Sequence, residues 1–346
     1  MDLQINIDIV KISRPKLMFN GSSVCVDSVA RCGMLNMKQF NGLYGCTYCE
    51  HPTEAVNGVR KYPIQHSPPP ERSDSSIKNQ MVMAYESNAK DIKGVKGPSS
   101  LMNLRYFDLV NGMILDYLHC CLLGVAQLYT NIIFSNATES YYVGSPDKIA
   151  IIDKRLLSMK SPSCVAKIAR SVKEKNMWKA SEWFAWIIFY APLCLRKIFK
   201  KKYYSNLVMF STAMEILLQD SVSSEMIETA QKLLIIFCVE FENLYGRNYA
   251  HYNVHLLLHL CKTVKNWGPT QNCGMTEPTV LFYGSGFVDI ASDITMDDES
   301  QNISFNQLDT NILITIAPHK NTESQPDQQT DLEQNSLFEK VSSIVC

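Results

Sequence analysis

The stretch GCTYCEHP, residues 45–52, contains the side chains of this sequence best suited to binding a metal. Cys46 and Cys49 have the C-x2-C spacing with which a tight turn presents two thiolates to one Zn²⁺ ion. A structural zinc site needs four ligands, so this pair predicts half of a site and requires two further donors. His51 is the nearest of these in the sequence.

A second pair of donors, Asp116 and His119, lies near the start of a region with helical pattern. Residues three apart on a helix share a face, so both side chains can reach one ion. His119 with either Asp116 or His51 would complete a tetrahedral zinc site with the two thiols. The alternative interpretation is two thiols without a metal and a hydrogen-bonded helix histidine.

A third set of donors is the pair His255 and His259, at positions i and i+4 of a predicted helix. This spacing places two imidazoles on one metal in zinc proteases, but there a Glu follows the first His. Here the run is His-Leu-Leu-Leu-His. The pattern therefore favours histidines that pack in the core or cap the helix.

Asp27 lies where a predicted strand is followed by a predicted helix. A carboxylate at the end of a strand is where RNase H-like nucleases keep one of the acids that hold two Mg²⁺ ions. An aspartate at such a junction is more commonly the N-cap of the helix. Both interpretations stay open on the sequence.

Five basic residues form a compact cluster at the predicted end of a helix: Arg196, Lys197, Lys200, Lys201 and Lys202. Such a cluster could bind the phosphates of DNA. Basic residues also favour helix C-termini for electrostatic reasons, which is the alternative interpretation.

The composition is that of a globular protein with a large core. The chain has 346 residues, of which 46% are hydrophobic and 19% charged. Its twelve cysteines are irregularly spaced, and many lie inside apolar runs, which excludes a disulfide scaffold and predicts a reducing, intracellular compartment.

The sequence also excludes several functional classes. The first residues lack the pattern of a signal peptide, and the longest apolar stretch, 183–195, is shorter than the ~18 residues that cross a bilayer, so we expect no membrane association. No P-loop, no GxGxxG after a strand and no GxSxG elbow occurs. We therefore expect no nucleotide cofactor and no serine-hydrolase chemistry.

The charge is unevenly distributed along the chain. The net charge is −1, but residues 296–346 contain nine acidic and two basic residues, which leaves 25 acidic and 31 basic residues in the rest. The body is mildly basic. Such a field permits binding to phosphates, although an ordinary solvated surface has the same composition.

The elements that must position these residues fall into four predicted segments. Residues 1–41 hold part of a sheet, because two apolar runs flank an Asn-Gly hairpin signal at 20–21. Residues 42–100 are rich in Gly, Pro and Ser and predict a long loop-rich excursion with little core of its own. Residues 101–270 have apolar spacings of three and four, which predict a helical domain. Residues 271–346 are polar and acidic and predict a disordered tail.

The sequence also predicts both ends of one helix inside the helical domain. Ser223 is a predicted N-cap and Gly246 a predicted terminator of one long helix. The predicted fold class is therefore α+β, with a partial sheet at the N-terminus followed by a predominantly helical domain and the disordered tail.

Three segments, in this order, carry a resemblance to a known family: VCVDSVARCGMLNMKQFNGLYGCTYC, GVKGPSSLMNLRYFDLVNGMILDYLHCCLLGV and YNVHLLLHLCKTVKNWGP. Over residues 20–270 the chain resembles the DDE transposases of CACTA (En/Spm-type) elements and their domesticated animal relatives. The resemblance implies an RNase H-like catalytic domain interrupted by a helical insertion. It also implies three acids that bind divalent metal and cut DNA.

The motifs of this family fall on the residues already singled out. Asp27 matches the second catalytic acid. Cys46 and Cys49 match a C-x2-C element, and Asp116 with His119 matches a D-x2-H element. The resemblance thus implies that the second half of the thiol site lies at the start of the helical region.

The first and third acids of the family are unmatched. Only 26 residues precede Asp27, and Asp2 and Asp8 lack the context of the first acid. After Trp-Gly-Pro the chain has TQNCGMTEP instead of the family's Phe-Glu-x-x-Asn-Gly, so Glu277 is the nearest carboxylate, and Pro278 follows it. One acid of three cannot fix two ions against a phosphate, which predicts a catalytically incompetent, transposon-derived protein.

The expected cofactor is structural Zn²⁺, with Mg²⁺ or Mn²⁺ added only if the acids form a complete site. DNA is the expected partner, a protein partner through the helical domain is the second expectation, and the resemblance implies a nuclear location. Two alternatives stay open. One is an active transposase that completes its site with Asp8 and Glu277, and the other is a domesticated interaction scaffold.

Overall fold

The computed structural model describes residues 23–159 and 169–269. The predicted hairpin at 20–21, the carboxylates Asp8 and Glu277, and the predicted disordered tail 271–346 lie outside these residues. Within them the protein is an α+β structure, predominantly helical, with two small two-stranded sheets. The coarse fold class predicted from the sequence is confirmed.

The first sheet joins two segments far apart in the chain. β1 (Val24–Val26) pairs in parallel with β4 (Met113–Leu115), with Val26 opposite Leu115. Side chains alternate between the two faces of a strand. Val24, Met113 and Leu115 therefore face the main core, while Cys25 and Ile114 lie on the other face against Trp267.

The predicted change from strand to helix at Asp27 is confirmed. α1 (Ser28–Met34) begins directly after β1, with Asp27 as its N-cap. The chain then runs through the C-x2-C loop to a hairpin of β2 (Glu54–Val56) and β3 (Val59–Lys61). Asn57 and Gly58 form its turn with φ of 50° and 77°, the left-handed backbone that such a two-residue turn requires.

The prediction that 42–100 is loop-rich was wrong for one part of the segment. α2 (Asp74–Glu86) begins with a capping box in which the Ser73 side chain accepts from the Ser76 backbone. Ile77 and Met81, one turn apart, are fully buried in the main core. The Ser cap and this apolar spacing outweigh the Gly and Pro content of the flanking sequence.

The predicted helical domain is helical from Leu118 onward, whereas its first part, 101–117, contains turns and the strand β4. After a π-helical segment, Leu118–Ala126, its elements are α3 (Gln127–Ser135), α4 (Pro146–Ser158), a 3₁₀ turn Val172–Met177, α5 (Ala180–Ala185), a second π-helical segment Trp186–Tyr190, α6 (Ala191–Leu195), α7 (Lys201–Leu217), α8 (Ser224–Tyr245), a 3₁₀ turn Arg247–Tyr249 and α9 (Tyr252–Trp267). Ser223 caps α8 through its side chain, and Gly246 ends it with φ of 94°, as predicted.

One hydrophobic core extends through both predicted regions. Its largest fully buried side chains include Trp183, Trp186 and Phe237 from the helical domain. Cys46, Cys49 and Ile77 from the preceding segment belong to the same cluster. The segment 42–100 therefore has no separate core and packs against the helices.

The second π-helical segment, Trp186–Tyr190, occurs where a proline interrupts the regular hydrogen-bond ladder. Pro192 lacks an N–H group, and the wider turn at Trp186–Tyr190 lies just before it.

Helix Leu118–Ser135 is long and apolar enough to span a membrane by length and composition, and 56% of it is buried inside the protein. A buried core helix meets the same criterion, so this helix is weak evidence for a membrane span.

Candidate metal centre

The structure brings the two thiols against the last helix. Cys46 and Cys49 lie on the loop that follows α1, and His255 and His259 lie one turn apart on the inner face of α9. The potential ligand atoms of these four residues all lie within 4.8 Å of one another. The sequence-based prediction for His255 and His259, core packing or capping, missed this arrangement.

Three of the six distances among the four donor atoms match the edges of a tetrahedral zinc centre. With Zn–N of ~2.0 Å and Zn–S of ~2.3 Å, a tetrahedron has N–N edges of about 3.3 Å and S–N edges of about 3.5 Å. The two Nε2 atoms are 3.3 Å apart. The Sγ of Cys49 lies 3.3 Å from Nε2 of His255, and the Sγ of Cys46 lies 3.7 Å from Nε2 of His259.

The group is enclosed by protein on every side. The exposed fractions of the four residues are 0% for Cys46, 1% for Cys49, 4% for His255 and 9% for His259. The ring of Tyr48 stacks on His259 and that of Tyr62 on His255, with centroids 5.3 and 5.0 Å apart. Such a closed set of four donors has no position open for a substrate.

The protonation states of the group favour metal binding. Burial lowers the pKa of His255, so its imidazole is neutral, as a metal ligand must be. Burial alone raises the pKa of the Cys46 thiol, but a hydrogen bond from Cys49 and the nearby imidazoles outweigh it and hold that pKa well below its usual value. The hydrogen bond with Cys46, followed by burial, raises the pKa of Cys49. The pair thus shares one proton, which a metal would replace.

His51, the alternative ligand, is occupied by backbone groups. Its Nε2 donates to the carbonyl oxygen of Pro63 at 2.8 Å, and its Nδ1 accepts from the backbone N–H of Thr53 at 2.9 Å. Neither ring nitrogen is left for an ion. His51 instead packs edge-on against His255, with ring centroids 4.9 Å apart, and supports the ligand from the side.

The predicted ligands Asp116 and His119 do not join the thiols. They contact each other, with Nδ1 of His119 2.5 Å from Oδ2 of Asp116, and His119 is half-exposed. Asp116 also caps the start of the π-helical segment by accepting from the His119 backbone N–H. The i, i+3 spacing therefore produces a local cap, and the imidazoles that lie beside the thiols come from α9 instead.

Asp27 has the structural role of a helix cap. Its Oδ1 accepts the backbone N–H of Ala30 at 2.7 Å. Asp27 and Asp116 directly follow Val26 and Leu115, which are opposite each other in the parallel pair of strands. Within residues 23–159 and 169–269, however, the Cys2His2 group is the one cluster of three or more side chains arranged to hold an ion, so Asp27 does not belong to such a cluster.

The basic cluster spans the end of one helix and the start of the next, with Arg196 as the C-cap of α6 and Lys197 directly after it. α6 ends at Leu195, Lys200 is the N-cap of α7, and Lys201 and Lys202 occupy its first turn. The positive end of the helix dipole disfavours cations there. The preference of basic residues for helix C-termini therefore does not explain these lysines.

The sequence signal for the imidazole ligands is the i, i+4 spacing of two histidines on one helix. The missing zinc-protease glutamate argues against a catalytic site, but a structural site does not need that general base. A C-x2-C pair combined with any two histidines one turn apart is the more general pattern.

The fold and the site define an α+β protein with a buried Cys2His2 group that could hold a metal ion, compatible with zinc. Comparison with known proteins adds no identity to this class: no protein-family model, no curated protein and no solved structure matches the chain.

Proposed function

We propose that Cys46, Cys49, His255 and His259 bind one Zn²⁺ ion with a structural role. The observation that carries this proposal is a buried group of two thiols and two imidazoles in which three of the distances between donor atoms agree with the edges of a zinc tetrahedron. The ion would fasten the C-x2-C loop to α9, at the opposite end of the described chain. Four protein donors and deep burial argue for a structural ion and against a catalytic one.

We further propose that the protein derives from a transposase of the CACTA type and does not cut DNA. The sequence motifs support the origin. The parallel pairing of β1 and β4, with Asp27 at the end of β1, is compatible with a partial RNase H-like sheet. The lack of a match to the third acid after Trp-Gly-Pro supports the loss of catalysis, because an incomplete set of acids cannot hold two ions against a phosphate.

A second candidate function is binding to DNA through the loop before α7. Lys197, Lys200, Lys201 and Lys202 are exposed, and they form no ion pair within the part of the chain that the structure describes. Three of them occupy the N-cap and first turn of α7, where their mutual repulsion adds to that of the helix dipole. A phosphate backbone would relieve this repulsion, which favours a polyanionic partner.

The metal proposal is tested by elemental analysis of the purified chain and of a Cys46→Ser, Cys49→Ser double variant. The expected result is about one zinc per chain, which the double variant loses. Replacement by Co²⁺ should give the absorption of a tetrahedral centre with thiolate ligands. A parent chain purified without metal, which also fails to bind added Zn²⁺ or Co²⁺, would overturn the proposal.

The proposed loss of catalysis is tested by a DNA nicking assay with Mg²⁺ or Mn²⁺. The expected result is no cleavage above a buffer control. Nicking that Asp27→Asn abolishes would overturn this part and establish an active nuclease. The metal proposal would be unaffected, because the two sites share no residue.

A further inference from the structure

Arg72 lies directly beside the C-x2-C loop and is almost completely buried, with 2% of its surface exposed. Its Nε donates to the carbonyl oxygen of Cys46 at 3.0 Å and to that of Cys49 at 3.2 Å. One N–H group therefore holds the backbone of both thiol ligands. A shift of either carbonyl group would also move the thiol attached to the same residue.

The rest of the guanidinium fixes this arrangement to the surrounding structure. Nη2 donates to the carbonyl oxygens of Lys93 at 2.6 Å and Tyr44 at 3.3 Å. Nη1 donates to Oε1 of Gln80 on α2 at 2.7 Å. The planar guanidinium group thus connects the thiol loop, the preceding turn, the segment after α2, and α2 itself.

The charge of Arg72 is unusual for a buried arginine, because the five oxygen atoms that accept these hydrogen bonds are all neutral. Glu50 lies one hydrogen bond further away, through Gln80. A buried cation without a directly bonded carboxylate is costly unless negative charge lies nearby. A Zn²⁺ ion bound by two thiolates and two neutral imidazoles has no net charge, so the ion would not repel this cation.

We propose that Arg72 is a positioning residue of the metal centre, which holds the C-x2-C loop in its metal-binding conformation before the ion arrives. This inference rests on the proposed zinc site and adds what sets its affinity. A loop held in the bound geometry loses less conformational freedom on binding, so the ion binds more tightly and leaves more slowly. Groups that hold the ligands of a metal ion in place typically change its affinity by about 10–100-fold.

The test compares Arg72→Gln with a matched arginine elsewhere in the protein. Arg155 also donates to two backbone carbonyl oxygens, those of Cys194 at 2.8 Å and Arg196 at 2.7 Å, and it contacts no part of the metal centre. Zinc affinity is measured on the intact chain by competition with a chromophoric chelator, together with the release rate after excess chelator is added.

The expected result is a fall in zinc affinity of about 10–100-fold for Arg72→Gln and a faster release of the ion. Arg155→Gln should lower thermal stability and leave zinc affinity within about twofold. Arg72→Lys keeps the charge but loses the fork of donors, so it should recover only part of the affinity. At saturating Co²⁺ the thiolate absorption should persist in Arg72→Gln, because all four ligands are still present.

If Arg72→Gln does not fold, Gln80→Met provides a milder version of the same test, because it removes one anchor of the guanidinium. A small loss of affinity is expected. Equal zinc affinities for parent, Arg72→Gln or Gln80→Met, and Arg155→Gln would overturn the role of Arg72 and leave the zinc site intact. A parent chain that binds no metal would instead overturn the proposed site itself.

Discussion

Cys49 and His255 are 206 positions apart in the chain, and their Sγ and Nε2 atoms lie 3.3 Å apart in the protein interior. The two residues belong to different elements, Cys49 to the loop after α1 and His255 to α9. Their approach therefore depends on the packing of α9 against that loop. This single relationship distinguishes the candidate metal centre, with His255 and His259, from the ligand set favoured by the sequence, with His119.

Variants of the two candidate ligand pairs should separate the two arrangements. His255→Ala and His259→Ala remove ligands of the proposed tetrahedron, so each should reduce bound zinc below about one ion per chain and weaken its affinity. His119→Ala, which removes the imidazole that contacts Asp116, should leave bound zinc unchanged. Elemental analysis of the three variants checks this, and zinc loss confined to His119→Ala would support the ligand set predicted from the sequence.

Acidification should remove the stability that the neutral buried histidines contribute to the metal-free protein. Burial lowers the pKa of His255 and of His51 from the ordinary value of 6.5. Below pH 6.5 the unfolded chain therefore binds protons that the folded protein does not, and the stability present above pH 6.5 is lost as the pH falls. Glu215 acts in the opposite direction, because burial raises its pKa to about 7 and the folded protein then binds a proton that the unfolded chain does not. Urea unfolding of chelator-treated protein at pH 7.5, 6.5 and 5.5 measures this.

The control for the pH series is His255→Gln, which removes one buried imidazole whose pKa is lowered. Its unfolding free energy should depend less steeply on pH than that of the parent. Equal pH dependence of the parent and His255→Gln would contradict the neutral state of buried His255, because the contribution of Glu215 is the same in both proteins.

The cap formed by Asp27 can be tested without reference to catalysis. Asp27→Ala removes the acceptor for the Ala30 backbone N–H and should lower the free energy of unfolding by about 1 kcal/mol. Asp27→Asn keeps a capping oxygen and should be nearly neutral. Ser223→Ala, at the N-cap of α8, provides a matched cap deletion, and chemical denaturation of all three variants gives the comparison.

Substitutions at two glycines test how closely α9 packs against the π-helical segment Leu118–Ala126. A Cβ at Gly124 would lie 2.3 Å from Nδ2 of Asn253 at the start of α9 and 2.8 Å from the backbone oxygen of His119. Gly124→Ala should therefore cost about 1–3 kcal/mol and displace the end of α9. Gly33→Ala, in α1 with open space around its Cβ, should be neutral or stabilising by up to about 1 kcal/mol. Thermal unfolding ranks the two variants.

Binding to DNA through the loop before α7 predicts a specific salt dependence. Lys200→Gln, Lys201→Gln and Lys202→Gln together should weaken binding to duplex DNA. The slope of log K against log salt should become shallower by about 0.9 for each phosphate that the variant no longer neutralises. Fluorescence anisotropy at several salt concentrations measures both quantities.

The matched control for the DNA prediction is a triple variant at three exposed, scattered lysines, Lys90, Lys173 and Lys232. It changes the net charge by the same amount but should affect binding less. Equal effects of the two triple variants would show that only overall charge matters, and this would exclude the loop as a DNA site.

The sequence predicts those features that depend on neighbouring residues. The cap at Ser223, the terminator Gly246 and the junction at Asp27 all follow from local hydrogen bonds and backbone preferences, and the structure has each of them. α2 escapes prediction because the Gly and Pro residues around it obscure the apolar spacing of Ile77 and Met81.

Of the candidate metal centre, the sequence predicts the two thiols but not the two imidazoles, and the reason is physical. The thiol pair is a local motif, but its partners are selected by tertiary packing, and several histidine and aspartate donors were compatible with the spacing rules. Asp116 and His119 are closer in the chain, yet their side chains satisfy each other and a helix start. Distance along the chain carries little information about which donors a folded core brings together.

Because the proposed ion would join residue 49 to residue 255, it would act as a reversible cross-link that closes a loop of 206 positions. By the loop-entropy relation used for disulfides, a cross-link of this span destabilises the unfolded chain by roughly 5 kcal/mol. It also fixes an order of events during synthesis. The two thiols leave the ribosome 206 positions before the imidazole of His255, so the metal cross-link cannot form until α9 has emerged.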